Sequence, residues 1–169
     1  AELSIRHGTI ATVSDPHEIA NVLGLEGIDF MIQDAAMSPA RFYFGAPSCV
    51  PATEFEHAGA TLGASEVGAL LSRDDIYYLS EVMNYPGVIH EDPELIEKIR
   101  LAREQGKPVD GHAPGLGGAD LLKYAAAGIQ TDHECIHLEE AREKIQAGMH
   151  ILIREGSASK NFEALWSLM

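Results

Sequence analysis

The sequence predicts an α/β fold with a parallel sheet, and it favours a TIM-type (β/α)8 barrel over a doubly wound sheet. Short apolar runs alternate regularly with longer helical patterns, as expected when helices cross over between parallel strands. The phosphate-binding patterns GxGxxG and GxxxxGK[ST] do not occur in a strand-to-helix turn, which argues against a nucleotide-binding sheet. Nearly every strand is also followed by an acid or a histidine, which is typical of the carboxyl face of a barrel.

Six strands are predicted from β-branched, aromatic or apolar runs that are closed by polar residues, Gly or Pro. In order along the chain they cover residues 8–14, 40–45, 75–82, 107–111, 129–132 and 149–154. With the helices between them, these strands make about six βα units.

Six helices are predicted from longer patterns with start and stop signals. They cover residues 17–25, 64–72, 93–105, 119–127, 138–147 and 160–169. The clearest is the third, which opens at Asp92-Pro93 with acids in its first turn and stops at Gly106. Asp15-Pro16 is a candidate N-cap with Pro at the first position of the first helix.

The charge balance limits the classes of partner. The 169 residues hold 12 Lys+Arg and 26 Asp+Glu, a net charge of −14, and such a chain repels phosphate backbones and anionic lipid. We therefore expect no nucleic-acid partner and no membrane, and we favour a small molecule or a metal ion. Two cysteines are too few for a disulfide framework, so a cytoplasmic location is expected.

Three polar side chains follow three consecutive predicted strands. Glu81 lies in SEVMNYPG, His112 in DGHAPG and His133 in TDHE. Because the carboxyl ends of parallel strands meet at one face, we expect these side chains to converge. A carboxylate with two imidazoles is a ligand set suited to Zn, Mn or Fe. A lone loop histidine is more often simply solvated, so the prediction depends on all three residues together.

Two further segments have open interpretations. Asp15 either caps the first helix or handles a proton at the mouth of the crevice, and Glu18 lies in the first turn, where the helix dipole already favours an acid. The segment REGSASKN, which contains Ser157, is either an ordinary capped loop or a substrate contact.

Six blocks make the chain recognisable: SDPHEIANVLG, GAPSCVPAT, SEVMNYPGV, DGHAPGL, GIQTDHE and REGSASKN. Together and in this order they resemble the adenine deaminases of the amidohydrolase superfamily. The resemblance implies a barrel of the metal-dependent hydrolase kind that hydrolyses adenine to hypoxanthine and ammonia, in purine salvage. It also implies a binuclear divalent metal centre of manganese or iron, with zinc as a further candidate.

The resemblance also implies roles for residues that match the family motifs. Glu81 resembles the catalytic carboxylate that bridges the two metals, and His112 and His133 resemble ligands of the second metal. Asp15 resembles a catalytic proton-transfer residue and Glu18 a purine-contacting one. His17 and Ser157 are candidates for further substrate contacts.

The sequence departs from the family at both ends of the site. It contains neither the HxH pair expected on the first strand nor the late Asp expected on the last strand. We therefore expect residues 1–169 to form one partial catalytic barrel domain, covering strands two to seven, with no second domain. Because these ligands are missing, we expect the piece to be inactive alone. Its open strand edges lead us to expect a homo-oligomer.

Two alternatives stay open at this point. The first keeps the fold but changes the substrate to another cyclic amide, amidine or aminopurine. The second is a non-catalytic α/β scaffold whose strand-end histidines are structural. Unaltered stability on treatment with a chelator would favour the scaffold.

Overall fold

A computed structural model describes residues 2–53 and 55–169. Its six strands are β1 (Ala11–Ser14), β2 (Arg41–Pro47), β3 (Ile76–Val82), β4 (Val109–Gly111), β5 (Thr131–Asp132) and β6 (His150–Ile151). The α-helices are α1 (Glu2–Arg6), α2 (His17–Leu23), α3 (Leu25–Ala36), α4 (Ala64–Leu71), α5 (Tyr85–Ile89), α6 (Pro93–Glu104), α7 (Gly118–Ala126), α8 (Leu138–Gln146) and α9 (Phe162–Leu165). A 3-10 turn at Trp166–Leu168 follows α9.

The strands pair in the order in which they occur in the sequence. Strands β1 to β4 form one parallel sheet in that order, and β5 pairs with β6, also in parallel. A backbone hydrogen bond from Gln130 N to Val109 O, of 3.0 Å, links the two sheets. A doubly wound sheet reverses its strand order at a switch point, and this one does not. The sheet is therefore part of a barrel, as the sequence predicts.

The hydrophobic core lies between the sheet and the helices around it. Ile28, Leu71, Ile99 and Leu121 project from four different helices into one buried cluster, which also contains Phe44 of β2. These contacts hold the helices against the sheet.

An apolar cavity on the sheet is open to solvent. It is lined in part by Val13, Tyr43, Tyr77 and Leu152, and the ring of Tyr43 meets that of Tyr77 edge to face at 4.9 Å. Val13 is 73% exposed, and β1 and β6 are the outermost strands of the described part. This is the open interior expected of an incomplete barrel.

The structure corrects several element bounds. The predicted helix 17–25 stops at Leu23, because Gly24 has a φ of 60° and breaks it, and the unpredicted α3 follows directly. The short helices α1 and α5 are also additional. The predicted strand 149–154 reduces to His150–Ile151, and the predicted helix 160–169 is regular α-helix only over Phe162–Leu165.

No helix within residues 2–53 and 55–169 has both the length and the apolar character needed to cross a membrane.

Candidate metal centre

Glu81, His112 and His133 meet at the carboxyl ends of three neighbouring strands. Glu81 is the penultimate residue of β3, and the two histidines directly follow β4 and β5. One donor atom from each of the three lies within 4.8 Å of the others. His112 Nδ1 is 3.4 Å from Glu81 Oε2, and His133 Nε2 is 3.2 Å from Glu81 Oε1. Each carboxylate oxygen of Glu81 therefore faces a different histidine.

The charges in this cluster are strongly coupled. The imidazoles of His112 and His133 hold the pKa of the Glu81 carboxyl well below its usual range. Burial alone would lower the pKa of His133, but the carboxylates of Glu81, Asp110 and Glu134 together raise that pKa. The site thus maintains an ionised carboxylate between two nitrogen donors.

The donor set fits a divalent metal ion. Nδ1 of His112 is buried and has no hydrogen-bond partner among the described residues, although Glu81 is nearby. A buried donor or acceptor without a partner is costly, and coordination of an ion is one way to satisfy it. One carboxylate and two imidazoles is a common ligand combination for zinc and for first-row transition metals.

The segment that follows β1 brings a second group of side chains towards Glu81. Donor atoms of Asp15, His17 and Glu81 lie within 4.8 Å of one another. His17 Nδ1 is hydrogen bonded to Asp15 Oδ2 at 2.8 Å, and His17 Nε2 is 3.5 Å from Glu18 Oε1. The side chain of Glu18 is 79% exposed, at the outer edge of this group.

The N-cap interpretation of Asp15 is wrong. Pro16 is the N-cap residue of α2, and no side chain caps that helix end. The carboxylate of Asp15 instead turns to His17, and its Oδ1 is buried without a hydrogen-bond partner in the described part of the chain. Burial raises the pKa of Asp15, and its hydrogen bond raises the pKa of His17 to about 9.

Ser157 makes no side-chain hydrogen bond to Glu81, His112 or His133 in the described part of the chain. It is exposed, in the turn that the bridge between Glu155 and Lys160 closes. Its predicted role in binding substrate stays a prediction, as do the roles predicted for the other site residues.

Sequence reasoning missed an ion pair at the site. Glu134 Oε1 is 2.7 Å from Arg154 Nη1, 3.5 Å from His133 Nε2 and 3.9 Å from His112 Nδ1. Arg154 follows β6, so the signal available was again its position just beyond a strand. The pair places a carboxylate and its counter-ion beside the two histidines.

Comparison with known proteins gives the same family throughout. Residues 1–163 match the amidohydrolase family. An adenine deaminase from Salinibacter ruber is 63% identical over 169 residues, which is 100% of this chain and 31% of that protein. The adenine deaminase of Methanosarcina mazei is 60% identical over 169 residues, covering 100% of this chain and 30% of that protein.

A third relative gives a similar result. The adenine deaminase of Borreliella burgdorferi is 56% identical over 171 aligned positions, covering 100% of this chain and 31% of that protein. The chain thus spans about a third of the length of the curated relatives it matches. Since the family match covers nearly every residue of it, the chain belongs to the amidohydrolase family.

Proposed function

We propose that the complete protein hydrolyses adenine to hypoxanthine and ammonia, as a step in purine salvage. The observation that carries this proposal is the identity of 54–63% to proteins named adenine deaminase along essentially the whole chain. One water adds to C6 across the C6–N1 double bond of the purine, and the bond from C6 to the amino group then breaks to release ammonia, so no oxidant or second organic substrate is needed.

The proposal assigns Glu81 as a bridging ligand of a binuclear centre, and His112 and His133 as ligands of its second metal. Their convergence at adjacent strand ends supports this assignment. Manganese or iron is the proposed metal, with zinc as the further candidate. When bound, such a pair lowers the pKa of water and polarises the reacting carbon. In this proposal residues 1–169 form strands two to seven of the barrel. The remaining ligands come from the other strands.

We assign proton handling to Asp15 and His17. With a pKa of about 9, His17 is protonated at neutral pH and can donate a proton towards the leaving amine, while Asp15 accepts its Nδ1–H and orients the ring. The exposed carboxylate of Glu18 accepts a hydrogen bond from a purine N–H. Ser157 is kept as a further substrate contact, on the basis of the motif in which it occurs.

The test is ammonia release from adenine by the longest available form of the protein, loaded with Mn²⁺ or Fe²⁺. We expect turnover of adenine that is lost in His133→Asn and retained in His150→Asn. His150 is a matched control because it is exposed at the start of β6. Turnover of another cyclic amide, amidine or aminopurine, with adenine inert, would contradict the substrate. Equal loss of activity in both variants would contradict the role of His133.

A further inference from the structure

Two successive helices each send one buried polar side chain to the strand ends that carry the proposed ligands. These are Tyr124 of α7 and Lys144 of α8, and both are fully buried. Neither side chain is within the ligand cluster itself. Apart from a bond between Lys144 and Glu140 on its own helix, their hydrogen bonds go to the backbone of His112 or to residues next to a ligand in sequence. These bonds connect each ligand-bearing strand end to the next.

Tyr124 connects the first pair of strand ends. Its hydroxyl donates to Val82 O at 2.8 Å and accepts from His112 N at 3.0 Å. Val82 directly follows Glu81, so a single oxygen atom fixes the backbone beside Glu81 relative to the backbone of His112. Val82 is the last residue of β3 and pairs with Gly111, and His112 directly follows β4. The hydroxyl therefore adds a side-chain link at the end of this strand pairing.

Lys144 connects the second pair. Its ammonium donates to Ala113 O at 2.6 Å and to Glu140 Oε1 at 2.7 Å, and it forms an ion pair with Asp132. The other oxygen of Asp132 accepts from Ala113 N at 3.3 Å and from Glu134 N at 3.1 Å. The residue after His112 is therefore held through both its N–H and its carbonyl, and the residues on either side of His133 are held as well.

Stability alone gives little reason for this arrangement. Replacing a buried ion pair with well-packed apolar residues of similar volume is often neutral or stabilising. Buried, directional bonds do, however, fix relative position, and outer residues that orient metal ligands change metal affinity when they are lost. Both hydrogen bonds of Tyr124, and the bond of Lys144 to Ala113 O, are made with backbone at the strand ends that carry the ligands. The ion pair of Lys144 with Asp132 reaches the residue before His133.

We propose that Tyr124 and Lys144 are positioning residues that set the spacing of Glu81, His112 and His133, and through it the affinity of the site for a divalent metal. This inference rests on the proposed metal centre. The inference adds two residues, one on α7 and one on α8, to the proposed metal centre. Each acts through the two strand ends that it joins.

The test compares two variants with two matched controls in the longest available form of the protein. Tyr124→Phe removes one oxygen atom and leaves the ring in the core, and Lys144→Met removes the ammonium. Tyr77→Phe removes the hydroxyl of a tyrosine that is 45% exposed in the described structure, near the start of β3 and in the lining of the apolar cavity. Lys107→Met also removes an ammonium. That of Lys107 bonds the backbone carbonyls of Arg73 and Ile76, at the ends of β3 and β4 away from the ligands.

Two readouts are measured, the dissociation constant for Mn²⁺ and backbone hydrogen exchange in the metal-free protein. We expect Mn²⁺ affinity to fall about 10–100-fold in Tyr124→Phe and Lys144→Met, and to change less than about 3-fold in both controls. Exchange should accelerate at residues 111–114 in both variants and at residues 132–135 in Lys144→Met, with residues 41–47 unaffected.

The outcomes separate the two claims. If the unaltered protein binds Mn²⁺ and folded Tyr124→Phe binds it equally well without faster exchange, the positioning role is wrong while the proposed function stands. If the controls lose as much affinity as the variants, the effect is general destabilisation and the positioning role is again wrong. If the unaltered protein binds no divalent metal, the proposed function fails and this inference fails with it.

Discussion

Glu81 is the side chain on which the cluster depends, because each of its oxygens faces a histidine from a different strand. Its position could be predicted, since it lies just before the end of a strand that is followed by two strands with histidines at the same place. Which buried side chains link the ligand-bearing strand ends could not be predicted. A lysine such as Lys144 in the pattern LEEAREKIQ is expected to be solvated, and only the tertiary structure shows it fully buried.

Replacing Glu81 by glutamine tests its role as a ligand. The substitution keeps the shape and removes the negative charge between two nitrogen donors. Loss of a residue that only hydrogen bonds to a ligand typically lowers metal affinity about 10–100-fold. We expect Glu81→Gln to lower Mn²⁺ affinity by more than this. Isothermal titration would measure this, with His150→Asn as the control. Unchanged affinity in a folded Glu81→Gln protein would exclude Glu81 as a ligand.

The Asp15–His17 pair predicts a pH dependence in the metal-free protein. The pKa of His17 is raised from 6.5 to about 9 by its hydrogen bond to Asp15. A raised pKa in the folded state stabilises the protein fully below pH 6.5, and this contribution is lost as pH rises through about 9. His17→Gln should therefore cost stability at pH 6 and little at pH 10, as measured by urea unfolding. A cost that does not vary with pH would contradict the pairing.

The elements were predictable where local signals agree. Helix α6 is predicted over 93–105 and observed over Pro93–Glu104, because Asp92 caps it by accepting a hydrogen bond from Leu95 N and Pro93 suits the first turn. Helix α3 lacks a side-chain cap and contains Gly27. A Cβ on Gly27 would approach Ile19 O within 2.8 Å, so this glycine serves the contact between α2 and α3, which sequence alone does not show.

Gly111 makes a prediction about strand spacing. A Cβ at this residue of β4 would lie 2.3 Å from the backbone oxygen of Thr131 and 3.0 Å from the buried hydroxyl of Tyr124. Gly111→Ala must push β5 away, and we expect a loss of about 1–3 kcal/mol in the free energy of unfolding. Gly156→Ala is the control, because its Cβ would meet Ser159 O at an ordinary 3.4 Å and should change stability by less than about 0.5 kcal/mol.

Denaturant unfolding measures both glycine variants. Equal stability of Gly111→Ala and the unaltered protein would show that the backbone of Thr131 leaves room for a Cβ at residue 111.

The described residues form a four-stranded and a two-stranded parallel sheet, and an apolar cavity on them is open to solvent. The barrel order of the strands could be predicted as a class, since six βα units in alternation leave few topologies. The remaining metal ligands could not be predicted, because the sequence contains no HxH pair and no late Asp to complete the ligand set.

The 169-residue polypeptide on its own should self-associate. Val13 is 73% exposed on β1, an outermost strand of the described sheet, and an unpaired apolar edge favours pairing with another copy. Light scattering should give a mass well above 18.3 kDa, reduced by Val13→Lys, and the polypeptide should release no ammonia from adenine. A stable monomer would contradict the homo-oligomer predicted for this polypeptide.

Anomalous X-ray diffraction at the manganese edge, on crystals of the Mn²⁺-loaded protein in its longest available form, tests the central claim most directly. We predict an anomalous peak within coordination distance of Glu81, His112 and His133, or two neighbouring peaks that are both within coordination distance of Glu81. Manganese bound elsewhere, with these three side chains touching only each other, would contradict the account.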